Sequence, residues 1–235
     1  MTDRRQFLAA VPALALAAPA VRAQAPAECA VFTPARQQST TPDQALALLK
    51  AGNERFVAGR TINCDLRAQV RETANGQAPF AAVVGCIDSR VPPELVFDQR
   101  LGDVFCARIA GNFVNDDIIG SLEFATKLAG ARCIVVLGHS ECGAIKGAVD
   151  GAKLGFLTAM LRNFTPAIDA SKSVPGQHNA KNTTYVQAVA DTNAKLAAKR
   201  LTDRSEVLRG LVAEKKLVVA SAMHDLATGK VRFLG

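Results

Sequence analysis

The sequence predicts an α/β protein: a mostly parallel β-sheet core with helices on both faces and an N-terminal helical arm. Three observations support this. The runs 81–86, 104–109 and 133–138 are apolar and β-branched without polar alternation, as strands buried on both faces require. Stretches with helical spacing lie between and after them, so strand and helix alternate along the chain. The 235 residues are 49% hydrophobic, with 11 Phe, one Tyr and no Trp. That is enough for a single, largely aliphatic core.

The first 25 residues read as a signal peptide. An Arg4-Arg5 pair precedes Phe7-Leu8 and an Ala/Leu/Val/Pro run that is too short and alanine-rich for a good membrane span. Arg-Arg-x-Phe-Leu resembles the twin-arginine export signal, which implies a periplasmic or secreted protein. Cleavage after Ala23 is preferred to cleavage after Ala25, which Pro26 follows; an uncleaved anchor is the alternative. Residues 26–40 read as an extended lead, and 41–235 as one catalytic domain.

In that domain Thr41-Pro42 forms an N-cap with Pro at the first helical position, and Leu46, Leu49, Asn53 and Phe56 follow at helical spacing up to Gly59. A short helix is expected over Leu66 to Ala74. Strand 81–86 leads to a short helix opened by Pro92-Pro93-Glu94. Strand 104–109 leads to a helix capped by Asp116-Asp117 and running to Gly130. Strand 133–138 leads to a helix from about Cys142. Helical stretches are expected over 154–170 and 184–214, with 173–182 as a loop. Leu217 to Ser221 and Val231 to Leu234 read as strands, with a turn at Thr228-Gly229.

The net charge is +7, with three Arg and one Asp in the first 25 residues. The remaining Lys and Arg are dispersed among acids, with no basic block of the kind nucleic-acid binders show. Of the six cysteines, Cys106 and Cys133 fall in apolar runs and read as small buried hydrophobes. Cys29 and Cys64 lie in polar segments, and either a disulfide or two free thiols is open to them. Cys86, His139 and Cys142 stand at the ends of strand-like runs, where open α/β sheets place their sites. Two thiolates and an imidazole leave a tetrahedral zinc ion one position short, as in hydrolytic and hydrating centres. Asp88 and Arg90, two residues apart, can form a bidentate pair that keeps Asp88 ionised beside the metal, or release it as a fourth ligand. Gly138 to Gly143 has the two glycines of a phosphate loop, but Ala144 stands where its lysine should be.

Cys86-x-Asp88-Ser89-Arg90 followed by His139-x-x-Cys142-Gly143 resembles the β-class carbonic anhydrases, in their plant-like branch. The likeness extends to Leu46–Phe56, Ala110-Gly111-Asn112 and Gly120–Ala125. It implies reversible hydration of carbon dioxide to bicarbonate and a proton by zinc-bound hydroxide, with one zinc per subunit. The ligands would be Cys86, His139 and Cys142, and the catalytic dyad Asp88–Arg90. Gln77, Phe105, Ala110, Phe124 and the Gly143 amide would form the substrate pocket, and the protein would be a homodimer or larger assembly. Ile109 departs from the family, and the lack of Trp leaves out the usual bicarbonate-inhibition site. Hydrolysis of carbonyl sulfide or carbon disulfide, or a non-enzymatic zinc module, are the other readings. His178 and His224 have no role assignable from sequence.

Overall fold

The computed structural model of the chain describes residues 29–234. The segment expected to be an export signal, with its expected cleavage site, lies outside the described residues. Five strands, β1 (Ala81–Gly85), β2 (Val104–Arg108), β3 (Cys133–His139), β4 (Val218–His224) and β5 (Val231–Leu234), form one sheet in the order β2-β1-β3-β4-β5. The pairs β1–β2, β1–β3 and β3–β4 are parallel, and only β5 runs antiparallel, against β4. Every residue of β1 and β3 is buried, which is why their sequences carry no alternation. Gly85 pairs with Leu137 and with Arg108, so β1 and β2 finish together while β3 runs two residues further, to His139.

Helix α1 (Pro34–Ser39) lies within the segment expected to be an extended lead. Thr33 caps it by accepting from the Arg36 amide, and Pro34 starts it. Gln37 docks it by donating to the Pro79 and Ala129 carbonyls. A six-residue helix has too little periodicity to stand out in sequence. Cys29 is joined to Cys64 in a disulfide that ties this lead to the loop before α3 (Leu66–Thr73).

Helix α2 (Pro42–Val57) opens with a reciprocal cap in which Thr41 and Gln44 each satisfy the other's backbone amide. Its buried Asn53 donates to the carbonyls of Val96 and Gly229 and accepts from the Val231 amide. One side chain thereby ties α2 to α4 (Pro93–Val96) and to β5. α2 covers the face of the sheet that carries His224, whose ring lies 6.5 Å from Phe56. The opposite face takes α9 (Thr183–Arg204), with Ala194 over Gly138.

Several expected boundaries differ for local reasons. The helix after β2 is α5 (Asp116–Glu123), and its cap is Asn115, which accepts from Ile118, rather than Asp116-Asp117. It continues as a π-turn over Phe124–Leu128. A short α6 (Gly143–Val149) follows β3. The stretch 154–170 is α7 (Gly155–Leu161), a 3-10 turn over Arg162–Phe164, and α8 (Thr165–Ala170). The stretch 184–214 breaks at Ser205 between α9 and α10 (Glu206–Ala213). There Ser205 accepts from the Leu208 amide and donates to Glu123 at 2.6 Å, an interaction that continuous helix would forgo. Cys133 is fully buried, whereas Cys106 is only partly covered because β2 is an edge strand.

Gly52 marks the closest helix approach: a β-carbon there would lie 1.8 Å from the Phe97 carbonyl. We expect Gly52→Ala to force α2 away from α4 and to lower stability by about 2 kcal/mol. The midpoint of urea unfolding measures this; an unchanged midpoint would contradict the packing described.

Candidate metal centre

Cys86 follows β1, His139 ends β3, and Cys142 caps α6. Their ligand atoms lie within 4.8 Å of one another, and all three residues are buried. A tetrahedral zinc ion with ordinary bond lengths separates its sulfur and nitrogen ligands by roughly 3.5–3.8 Å. The cluster therefore needs only a small contraction around an ion. His139 Nδ1 faces the Ser140 carbonyl at 2.8 Å and must donate to it, since a carbonyl only accepts. That leaves Nε2 as the lone-pair nitrogen, and Nε2 is buried with no hydrogen-bond partner. An orphaned imidazole nitrogen beside two buried thiols is the signature of a soft metal site, and the residues fit zinc.

The two thiols respond in opposite directions. Cys86 is pulled well below the ordinary thiol range by the Cys142 thiol, then by His139 and by the amides of Gly111 and Asp88, against its burial. Cys142 is pushed up, because one proton is shared with Cys86 and the site is dry. The amides of Ile145 and Ala144 at the start of α6 draw it back only in part. Cys86 is thus held ready as a thiolate, and a cation would do the same for Cys142.

The turn that joins His139 to Cys142 runs through Glu141 at φ 59°, a left-handed conformation that costs a non-glycine residue about 1 kcal/mol or more. Ser140 holds it in place. Its amide donates to the His224 carbonyl, and its hydroxyl accepts from the Leu226 amide, both at 2.9 Å. Glu141 also pairs with Lys146. His224, without a role in sequence, thus supports the turn through its backbone.

Asp88 accepts three hydrogen bonds from Arg90, from the amide at 3.0 Å, Nε at 2.9 Å and Nη2 at 2.8 Å. This side-chain pairing holds the Asp88 carboxyl well below the usual carboxylate range. Asp88 Oδ2 is 3.9 Å from His139 Nε2, so the carboxylate borders the cluster while Arg90 occupies it. Arg108 was not singled out as a site residue. It grips the same turn by donating to the Cys86 carbonyl at 2.9 Å and the Asp88 carbonyl at 2.6 Å. An arginine closing a strand next to the ligand loop was the available signal.

Ala110 immediately precedes Gly111, whose amide donates to Cys86 Sγ at 3.2 Å. Gly143 begins α6 with open space where a β-carbon would stand. Gln77 lies elsewhere. It is exposed before the N-terminal end of β1, and the strand alone separates that end from Cys86 by roughly 16 Å. Phe105, within the edge strand β2, meets Phe124 edge-on at 6.2 Å between ring centres, and Phe124 is largely exposed. One subunit therefore gathers Cys86, Asp88, Arg90, Ala110, His139, Cys142 and Gly143. It leaves Gln77 and Phe124 exposed and Phe105 half-buried against the core.

A doubly covered parallel sheet with a soft ligand cluster and an ionised carboxylate at its strand ends defines a metalloenzyme-type centre. The family model for carbonic anhydrase matches residues 81–231, and the chain belongs to that family, in its β class. A carbonic anhydrase of Mycolicibacterium smegmatis is 35% identical over 203 residues, covering 82% of this chain and 93% of the relative. Carbonic anhydrase 2 of Mycobacterium tuberculosis is 45% identical over 123 residues, or 51% of this chain; the match spans only 58% of that relative. A tetrameric β-carbonic anhydrase from Sordaria macrospora superposes with a TM-score of 0.62 at 26% identity, covering 72% of this chain and 90% of its own. A β-carbonic anhydrase of Aspergillus fumigatus gives 0.63 at 26% identity, covering 82% and 89%.

The depression of Asp88 has a defined sign. Its charged-state stabilisation is complete above the ordinary carboxyl value of 3.8 and fades as pH falls below it. Removing the guanidinium in Arg90→Leu should move the Asp88 titration up towards that value. Carboxyl carbon NMR on the folded variant reads the shift, and an unmoved titration would show that Arg90 is not its cause.

Proposed function

We propose that this protein catalyses the reversible hydration of carbon dioxide to bicarbonate and a proton, with one zinc ion per subunit held by Cys86, His139 and Cys142. The observation that carries this reading is the meeting of three buried soft ligand atoms with an arginine-locked carboxylate at one point. When bound, zinc supplies a Lewis acid that lowers the pKa of a coordinated water towards neutrality. Asp88, ionised and hydrogen-bonded on its far side, can only accept. It therefore orients the attacking water by taking its hydrogen bond, and Arg90 prevents its protonation. The Gly143 amide, in the first turn of α6, can donate to charge growing on the substrate oxygens. Carbon dioxide is apolar, so Phe105, Ala110 and Phe124 suit it without hydrogen bonds, and Gln77 can contact bicarbonate.

The separation of Gln77 from the cluster and the exposure of Phe124 support a homo-oligomer in which a second copy completes the pocket. Leu66, Leu95, Phe124 and Leu128 are exposed at 62%, 64%, 54% and 76%, more apolar surface than a lone subunit needs to leave in water. Light scattering coupled to size exclusion should give at least a dimer, and a monomer at micromolar concentration would contradict this.

We further propose export as a folded protein to the periplasm or beyond. The Cys29–Cys64 disulfide suits an oxidising compartment, and metal loaded before export would keep Cys86 and Cys142 from pairing. Among the described residues no helix is long and apolar enough to cross a membrane.

Stopped-flow carbon dioxide hydration on metal-analysed protein tests the activity. Asp88→Asn should retain zinc and lose about 100-fold or more in kcat, whereas Cys142→Ser should lose the metal. Zinc-loaded protein that ignores carbon dioxide but turns over carbonyl sulfide or carbon disulfide would replace this reading. Protein inert to all three would leave a zinc-binding module.

A further inference from the structure

We propose that Asn193, on α9, is a positioning residue for the metal centre, acting through the Gly111 backbone on the Cys86 sulfur; this rests on the zinc reading above. Asn193 is only 4% exposed and lies in the buried stripe of α9 between Ala190 and Ala197. A buried amide in an apolar stripe is costly unless it is hydrogen-bonded. Its Nδ2 donates at 2.9 Å to the Gly111 carbonyl, 82 residues away. The Gly111 amide in turn donates to Cys86 Sγ at 3.2 Å, also buried.

The residue in between explains why an anchor is needed. Gly111 has φ +77°, and a β-carbon on it would lie 2.4 Å from the Phe164 ring. Only glycine fits there, and glycine is the residue whose own backbone preferences least restrict its peptide planes. Asn112 follows at φ 45°, so the turn is left-handed for two residues. Asn193 fixes the carbonyl side of Gly111 and so restricts the direction in which its N–H points. An N–H aimed at a metal-bound thiolate withdraws electron density from sulfur. It leaves the ion more electron-poor than two bare thiolates would, and it pre-sets the ligand's position.

The test compares Asn193→Leu with wild type and with Ala197→Gly, which loosens the same helix without touching Gly111. In the cobalt-substituted Asn193→Leu protein, releasing the Gly111 N–H from its aim at Cys86 should shift the thiolate-to-cobalt charge-transfer band to lower energy. Competition with a chromogenic chelator should show the zinc dissociation constant raised by about tenfold. Ala197→Gly should change neither, although its melting temperature falls. The wild-type band reports on the centre itself and the difference between bands on Asn193, so the two readings fail separately. An Asn193→Leu band and affinity equal to wild type would overturn the proposal. So would Asn193→Leu and Asn193→Ala chains that both fail to fold, since Asn193 would then be a residue of the core.

Discussion

The register between adjacent parallel strands is the constraint on which the rest depends. β1 and β3 are paired so that Gly85 faces Leu137, which places Cys86, just past the end of β1, beside the last two residues of β3, Gly138 and His139. Strand neighbours stand about 4.8 Å apart, close to the ligand separation around a tetrahedral ion. The register thus delivers two ligands without any loop having to reach. The third arrives because the turn after His139 reverses through Glu141 and starts α6 at Cys142. Slipping the β1–β3 register by one residue would carry Cys86 to the other face of the sheet and dissolve the cluster.

Around this frame, groups with opposite demands on solvent sit a few ångströms apart. The thiols and the imidazole are buried, where Cys86 and Cys142 share one proton and a cation would hold both as thiolates. Asp88 and Arg90 lie at the wet rim, with side chains 16% and 57% exposed. An exposed ion pair contributes little to stability, so the worth of this one lies in holding a carboxylate ionised at a chosen point. The supports come from the backbone. Arg108 grips the Cys86–Asp88 turn, Ser140 and His224 brace the ligand turn, and Gly111 donates to sulfur.

Much of this was legible in the chain before any coordinates. The cores of all five strands, α2 with its Thr41 cap, and the residues of the ligand cluster follow from local patterns. Unbroken apolar runs mean strands covered on both faces, and His-x-x-Cys at a strand end needs only a short turn. Two of the misses share a cause. The α1 helix is held by Gln37 bonding to distant carbonyls, and the break at Ser205 by Glu123. Each depends on a partner far along the chain. The Asp116-Asp117 cap was displaced by Asn115, one residue earlier, because the helix boundary turns on which side chain reaches the free amide.

The sequence by itself determined the chemistry: which side chains can hold a soft cation, which acid has a guanidinium two residues away, and which segments become buried strands. These are local properties of residue type and spacing. Tertiary structure decided what local spacing cannot encode, namely the order β2-β1-β3-β4-β5 and the reach of Asn193 to Gly111. It also decided that Gln77 lies at the opposite end of the sheet from Cys86. Those contacts depend on how helices and strands pack across many tens of residues, where burial and hydrogen-bond satisfaction of the whole chain select one arrangement.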